Sequence, residues 1–529
     1  MQPLKVLIVL GRWNALLPDI TSEKPVYAHG TESSAVNKTG EWRFMTPERV
    51  PKLSPCRQGC LLDGEVPAWL EAVKREEWEE AWQIMKRNNP FPALTGYTCF
   101  HPCTDNCNRS QLDSGIDIPS VEKAIGLWRL DQYRPDQQKS STKDEAAVIG
   151  SGPAGLSCAY YLNQAGYRVT VYEKSDQIGG MLALGIPEYR LPRSILKKEL
   201  NLLKEEGVEF ITGCEIGKDL SLDQLYKKYS EVFLAPGAWK SRKAGIPGEE
   251  SSGVWNALDF LSEFNSDSQP EIKDPVIVIG GGNAAIDSAR SALRMNGVNH
   301  VTLVYRRSRA EMPAYQPEVE AAESEGIELI FNALPGKIET ADGRVCGAEF
   351  YYSKTNRQGL AVDKSSSFHK SCGTVIMALG QEQDISIFSS PDNEVTFYAG
   401  GDLVTGPATV SEAIRAGRIA AEAMIARLEN LPEPELCLPM EDPVSFEDLY
   451  LEAGGSLEIK DQQELPENEA SRCLGCGTCN SCGICYLFCP DMAVDIVDGR
   501  YELNMDYCKG CGICYRECPS RALELKGGK

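Results

Sequence analysis

The sequence predicts an α/β chain with two doubly wound nucleotide-type units, the second inserted into the first. Cysteine-rich modules flank them, helical at the N-terminal end and α+β at the C-terminal end. Three observations predict this. Strand–glycine–helix units recur between residues 145 and 430, the pattern of a parallel sheet covered by helices. Two of those units open on glycine-rich turns, at Gly150 and at Gly280. Of the 20 cysteines, five lie between Cys56 and Cys107 and ten between Cys473 and Cys518.

At 529 residues the chain is long enough for several domains with sizeable cores. Its 54 basic and 76 acidic residues leave a net charge of −22. Nucleic acid and anionic membrane surfaces demand basic patches, so neither is an expected partner. Only four histidines accompany the cysteines, which makes Cys/His zinc chemistry a poor explanation of them. Dense C-x-x-C runs without a secretory signal point to metal ligation in a reducing compartment, and so to the cytoplasm. The apolar run Val6–Leu10 is too short for a signal core and reads as a strand or ordered arm. No stretch approaches the ~20 apolar residues of a membrane span.

The first glycine turn follows the strand-like Ala146–Ile149 and reads Gly150-Ser151-Gly152-Pro153-Ala154-Gly155, with a helix expected to Ala165. Gly150 permits a tight turn, and Gly152 lets backbone approach a pyrophosphate at the helix N-terminus. Gly155 allows close helix–strand packing. The next strand, Arg168–Tyr172, ends at Glu173, placed to bind the ribose hydroxyls of an adenosine, with Lys174 beside it. The second turn follows Val276–Ile279 and reads Gly280-Gly281-Gly282-Asn283-Ala284-Ala285, leading to the strand Val301–Tyr305. That strand ends in Arg306-Arg307. Guanidinium groups pair with a 2′-phosphate that an acid would repel, so this unit is expected to prefer NADP(H).

The first unit resumes after the second. Val395–Ala399 reads as a strand ending in Gly400-Gly401-Asp402, and Ala408-Thr409-Val410 starts a helix through Ala426. Asp402 is placed to hold a flavin ribityl chain, and the helix start to face the flavin or its phosphates. The pair therefore reads as a Rossmann-like FAD domain interrupted by a Rossmann-like nicotinamide domain.

Gly179-Gly180-Met181, Gly185-Ile186-Pro187-Glu188-Tyr189-Arg190-Leu191-Pro192, and Tyr305-Arg306-Arg307 with Met312-Pro313-Ala314 resemble the glutamate synthase small-subunit family. The resemblance covers roughly residues 45–430. It implies FAD at the first unit, NADPH at the second, and electron delivery to iron–sulfur clusters. It also implies that Gly185–Pro192 lies near the flavin, and Gly180, Met181, Arg190 and Gly237 join the candidate cofactor-binding residues. Hydride transfer between nicotinamide and flavin needs orientation rather than a protein acid or base, so no catalytic side chain is expected.

At the C-terminal end, Cys479, Cys482, Cys485 and Cys489-Pro490 match C-x₂-C-x₂-C-x₃-C-P, and Cys508, Cys511, Cys514 and Cys518-Pro519 repeat it. In this bacterial two-cluster ferredoxin signature each fourth cysteine crosses to the other cluster. One [4Fe-4S] cluster is expected on Cys479, Cys482, Cys485 and Cys518, the other on Cys508, Cys511, Cys514 and Cys489. Cys473 and Cys476 precede the signature and are left without a role.

At the N-terminal end, Cys56-x₃-Cys60 and Cys99-x₃-Cys103-x₃-Cys107 flank one helix expected over Pro67–Lys86, with Trp69, Leu70, Val73, Trp82 and Met85 on its buried face. In the resembling family this region carries two clusters, built partly from a C-x₂-C just upstream. Residues 44–55 hold no cysteine, so one N-terminal cluster is expected. By position, Cys60, Cys99 and Cys103 match three family ligands, with Glu122 or Cys107 as the fourth. Cys158, Cys214, Cys346, Cys372 and Cys437 read as packing residues.

The expected division is an N-terminal arm and helical iron–sulfur domain (1–140), the FAD domain in two parts (141–270 and 391–430) and the NADPH domain (271–390). An acidic linker (431–470) with twelve acids and one lysine reads as an extended tether. The two-cluster ferredoxin domain (471–529) reads as a detachable electron port. The whole reads as an FAD-dependent NAD(P)H oxidoreductase subunit exchanging electrons between NADPH, FAD, [4Fe-4S] clusters and a partner. Thr39-Gly40-Glu41-Trp42-Arg43, Cys107-Asn108-Arg109 and the fused ferredoxin resemble reductase chains that accompany 2-oxoacid:ferredoxin oxidoreductases. The expected partner is such an enzyme in a multi-subunit complex, or ferredoxin. The alternatives are the small subunit of glutamate synthase (NADPH) and, of another class, a non-catalytic electron-wiring scaffold.

Overall fold

A computed structural model describes residues 38–132, 144–266, 268–356, 359–384, 397–432, 442–449, 465–497 and 499–527. The Val6–Leu10 arm, Cys437 and most of the acidic segment lie outside the described residues. The chain forms two compact units. One comprises Met1–Pro92, His101–Arg129 and Leu436–Lys529; the other comprises Ala93–Phe100 and Leu130–Glu435.

The second unit holds both nucleotide folds. Glu145–Ile149 lies between Arg168–Tyr172 and Glu231–Leu234, with Glu209–Ile211 and Tyr398–Ala399 at the edges, all parallel. Its last four residues are buried, as an apolar run in a sheet covered on both faces must be. Tyr398 and Ala399 pair with Phe233 and Leu234, so the chain does return to the first sheet after the insertion. The helix Val410–Leu428 then packs against Pro153–Gln164. Contact is close enough that a Cβ on Gly417 would fall 2.0 Å from Ala154 O.

The second sheet runs Glu328–Phe331, Val301–Tyr305, Val276–Gly280, Thr374–Ala378, Val254–Asn256, again all parallel. It begins ahead of the expected boundary at 271, because Val254–Asn256 pairs with Thr374–Ala378. The helix Ala257–Phe264 belongs with it, burying Phe260 and Leu261 beside Val276 and Val278. A three-stranded antiparallel sheet (Ala333–Ala341, Arg344–Asn356, Gly359–Ser371) completes this half. Nothing in the glycine motifs announced it.

The first unit corrects three expectations. The helix over Pro67–Lys86 is two helices, Val66–Lys74 and Trp78–Met85. Glu76 adopts φ +62°, Glu76 N donates to Val73 O and Glu77 N to Ala72 O. This is a Schellman closure with glutamate in the position glycine usually takes. The five expected apolar residues are nonetheless buried. The ferredoxin module is not a separate domain, because Leu523–Gly527 pairs antiparallel with Met45–Arg49. Nor is the described part of the acidic segment a free tether. Val444 and Leu449 are buried with Cys476, and Val444 N donates to Leu53 O at 2.9 Å. Apolar side chains spaced among the acids give that stretch something to bury. Among the described residues no helix is long and apolar enough to cross a membrane.

Candidate functional site

A cavity of about 1790 Å³ lies in the second unit, well above the ~300–1,000 Å³ typical of one small-molecule site. From the first fold it is lined by Gly150, Gly152, Pro153, Ala154, Glu173, Lys174, Gly180, Met181, Arg190, Gly237, Gly401, Asp402, Ala408 and Thr409. From the second it is lined by Gly280, Gly282, Asn283, Ala284, Arg306 and Arg307. Gly155 is the one expected residue that does not line it. A Cβ there would sit 1.9 Å from Gly150 O, so its role is helix–strand packing, as its place in the motif implies.

The two turns are built alike. Gly150 has φ +96° and a Cβ on it would strike Ala235 O at 2.2 Å. Gly152 and Gly282, by contrast, face open space, with nothing within 4 Å of an added Cβ. Each N-caps a helix, Pro153–Gln164 and Asn283–Leu293, and neither helix start is capped by a side chain. Bare Cα atoms and uncapped amides are what a pyrophosphate requires there. The site therefore fits two dinucleotides.

Several expected residues have structural duties as well. Glu173 is buried and accepts from Ser151 N at 2.9 Å and Ser175 N at 2.8 Å, bracing the turn. Ser151, which the glycine pattern passed over, also donates through its hydroxyl to Glu173 and accepts from Gly179 N at 2.9 Å. Its only signal was its place between two functional glycines. Lys174 is exposed and paired with Glu215 at 2.7 Å. Arg190 is committed to Asp287 and lies 3.4 Å from Glu318, so its guanidinium holds the nicotinamide fold rather than standing free in the cavity. Burial pushes the Asp287 carboxyl up to about 6, with Arg190 opposing. Thr409 caps its helix, exchanging bonds with Glu412.

Asp402 accepts from Ala408 N at 3.1 Å, and burial pushes its carboxyl up to about 6. Arg306 and Arg307 are anchored through their carbonyls, which accept from Ser353 Oγ at 2.6 Å and Asn332 N at 3.0 Å. Among the described residues no carboxylate pairs with either guanidinium, leaving both available at the cavity wall.

In the first unit the ferredoxin cysteines stand near the neighbours that the crossed grouping expects. Cys482 feels the charge of Cys518 and Cys479; Cys508 and Cys514 feel Cys489 and Cys511. Cys485 feels Cys479 and Cys482 most strongly among the other thiols. Gly483 and Gly512, at φ +75° and +78°, start the matching turns Ile484–Leu487 and Ile513–Arg516. Cys60 stands near Glu122, whose Oε1 accepts from Asn89 at 2.9 Å and whose Oε2 lies 3.2 Å from His101 Nε2. Cys103 is buried in the same unit. Cys99 follows the helix Pro92–Thr98, its amide donating to Thr95 O at 2.8 Å. Cys107, the other candidate fourth ligand, stands instead with Cys56, Cys473 and Cys476.

The family model described as pyridine nucleotide-disulphide oxidoreductase matches residues 144–417. Dihydropyrimidine dehydrogenase domain II, 4Fe-4S cluster, matches residues 51–133, and a 4Fe-4S binding domain matches 501–524. The NADPH-Fe(3+) oxidoreductase subunit beta of Geobacter sulfurreducens is 37% identical over 354 residues, 64% of this chain and 52% of that one. The NADP(+)-dependent formate dehydrogenase subunit beta of Moorella thermoacetica is 34% identical over 417 residues, covering 70% and 59%. The glutamate synthase [NADPH] small chain of Azospirillum brasilense is 33% identical over 429 residues, covering 73% and 89%. The chain thus spans only 52% and 59% of the first two relatives.

Proposed function

The chain belongs to the pyridine nucleotide-disulphide oxidoreductase family, alongside the glutamate synthase small chain, and on that footing we propose that it exchanges electrons between NADPH and a partner redox enzyme through FAD and [4Fe-4S] clusters. The observation that carries this is the single cavity lined by both glycine turns, each with a bare Cα facing open space. FAD, when bound, supplies the exchange between a hydride and single electrons.

The chain's own residues bind and orient. The uncapped helix starts at Gly152 and Gly282 take the pyrophosphates, Asp402 accepts from the ribityl chain, and Arg306 and Arg307 take the 2′-phosphate. Arg190 fixes one nucleotide fold to the other through Asp287. Cys479, Cys482, Cys485 and Cys518 hold one ferredoxin cluster; Cys508, Cys511, Cys514 and Cys489 hold the other. Cys60, Cys103 and Glu122 serve the N-terminal one, to which Cys99 is assigned by its place in the sequence alone. The relatives' names, each a subunit of a larger redox enzyme, support a partner of that kind, and a 2-oxoacid:ferredoxin oxidoreductase-like complex or ferredoxin fits the fused cluster module.

Anaerobic titration of the purified protein tests this. One FAD per chain, bleached by stoichiometric NADPH, is the expected result. Flavin that stays oxidised in excess NADPH refutes the proposal, and co-purification from the native source identifies the partner.

A further inference from the structure

Four cysteines from opposite ends of the chain meet in the first unit. Cys56 is buried in the short helix Pro55–Gly59, its Sγ 3.3 Å from Ser54 Oγ. Cys107 follows Pro102–Asp105, which packs against that helix. Cys473 and Cys476 follow Pro466–Ser471. All four are free thiols.

Three sets of bonds draw them together. Buried Asn108, next to Cys107, donates to Val444 O at 3.0 Å and reaches Cys476 Sγ at 3.5 Å. Arg109 donates to Arg472 O at 3.2 Å, and Arg472 pairs with Asp113 at 3.1 Å, fixing the neighbour of Cys473 to the segment after Cys107. Lys52 N donates to Gly477 O at 3.0 Å and Gly477 N to Ser520 O at 2.7 Å, setting Cys476 against the segment that leads into Cys56. The thiols are close enough to act on one another electrostatically. Cys56 feels Cys473, Cys107 and Cys476, while Cys473 and Cys476 both feel Cys107.

Packing alone does not call for this arrangement. One buried cysteine serves as a small hydrophobe, but four sulfurs supplied by three separate segments make the complete donor set of an iron–sulfur cubane. Gly475 and Gly477, at φ +68° and +71°, turn the chain back around the C-x-x-C pair. Gly475 N lies 3.4 Å from Cys473 Sγ, a donor suited to thiolate charge. Val444 and Leu449 with Phe446 and Leu474 wall the site. Among the described residues no three His, Cys, Asp or Glu side chains converge as they do on a single ion. The ferredoxin cysteines, whose spacing is that of iron–sulfur ligands, share that property.

We propose that Cys56, Cys107, Cys473 and Cys476 ligate a fourth [4Fe-4S] cluster, separate from the two ferredoxin clusters and from the cluster that takes Cys60. Each thiol gives up its proton as its sulfur bonds one iron of the core, so ligation changes no cysteine oxidation state. The site also explains the merging of the two cysteine-rich regions, since its ligands come from both.

The test is iron content per chain of the full-length protein after anaerobic reconstitution with ferrous iron and sulfide. Wild type is expected to hold about 16 Fe, and Cys473→Ala/Cys476→Ala about 12. Cys56→Ala, altered at the other end of the chain, is expected to lose the same quarter of the iron. FAD content, which depends on the other unit, should be unchanged in both variants. Wild type and both variants alike at about 12 Fe overturn the proposal, with or without an added zinc, whereas wild type at about 12 with both variants at about 8 removes the Cys60 cluster and keeps this one. Wild type at about 16 Fe with both variants retaining all of it overturns the ligand assignment.

Discussion

Arg190 Nη1 donates to both carboxylate oxygens of Asp287, at 2.9 and 2.7 Å, with both side chains at least nine-tenths buried. The pair joins the segment after the first glycine turn to the helix that opens the second. Removing one partner strands a buried charge, at about 3–5 kcal/mol, whereas replacing both with apolar residues of similar volume is often neutral. Arg190→Ala should therefore lower unfolding stability by about that amount, and Arg190→Met/Asp287→Leu by much less. Urea unfolding of the three proteins measures this. Equal losses in the single and double variants would show that the ion pair is not the tie.

The glycine turns separate folding from binding. Gly152→Ala places a methyl in open space and should leave apoprotein stability nearly unchanged while weakening FAD binding at least tenfold. Gly155→Ala forces a methyl onto Gly150 O and should destabilise the fold itself by roughly 1–3 kcal/mol. Thermal unfolding of apoprotein, set beside flavin titration, distinguishes the two. A Gly152→Ala protein with wild-type FAD affinity would move the pyrophosphate elsewhere.

What could be read from the sequence was what is encoded locally. Both glycine turns, Arg306-Arg307 at a strand end, and the Cys-Pro repeats each sit within one short segment. Even the inserted domain showed itself through the return at Gly400-Gly401-Asp402. What escaped was non-local or disguised. No local pattern tells Met45–Arg49 that its partner is Leu523–Gly527, and that pairing is what makes one unit of two ends. The break at Glu76 was hidden because glutamate occupies the left-handed position. In the acidic stretch, the count of charges concealed Val444 and Leu449, which are buried. The juxtaposition of Cys473 and Cys476 with Cys107 depends on all of these contacts and so had no signature in spacing.

On the proposed assignment coenzyme choice rests on Arg306 and Arg307, whose guanidinium groups pair with no carboxylate among the described residues. Replacing Arg306 and Arg307 with alanine should raise KM for NADPH with little effect on NADH. Charge-assisted hydrogen bonds of this type are worth about 1.5–3 kcal/mol, or roughly 10- to 150-fold. Steady-state dye reduction with each coenzyme reads the difference. A wild-type preference for NADH would contradict the assignment.

If Asp402 holds the ribityl chain as proposed, it gives FAD binding a pH dependence. Burial raises its folded carboxyl to about 6, above the ordinary ~3.9 of the unfolded chain. Between those values the folded apoprotein holds a proton that the unfolded chain lacks, so this group's contribution to stability falls as pH rises through that window. On that proposal the ionised carboxylate is the acceptor, so FAD affinity should be flat above about pH 7 and weaken by up to tenfold per unit below about 6. Asp402→Asn should bind FAD with a flatter profile. Isothermal titration at several pH values decides it, and an unchanged slope in the variant would assign the dependence to another group.

The central claim is that electrons from NADPH reach the clusters only through the flavin bound in the second unit. Rapid mixing of the fully loaded protein with NADPH under anaerobic conditions, followed by flavin absorbance and cluster EPR, tests it most directly. Flavin bleaching should come first and reduced clusters after it, and flavin-stripped protein with intact clusters should show neither. Cluster reduction by NADPH in the flavin-stripped protein would contradict the account.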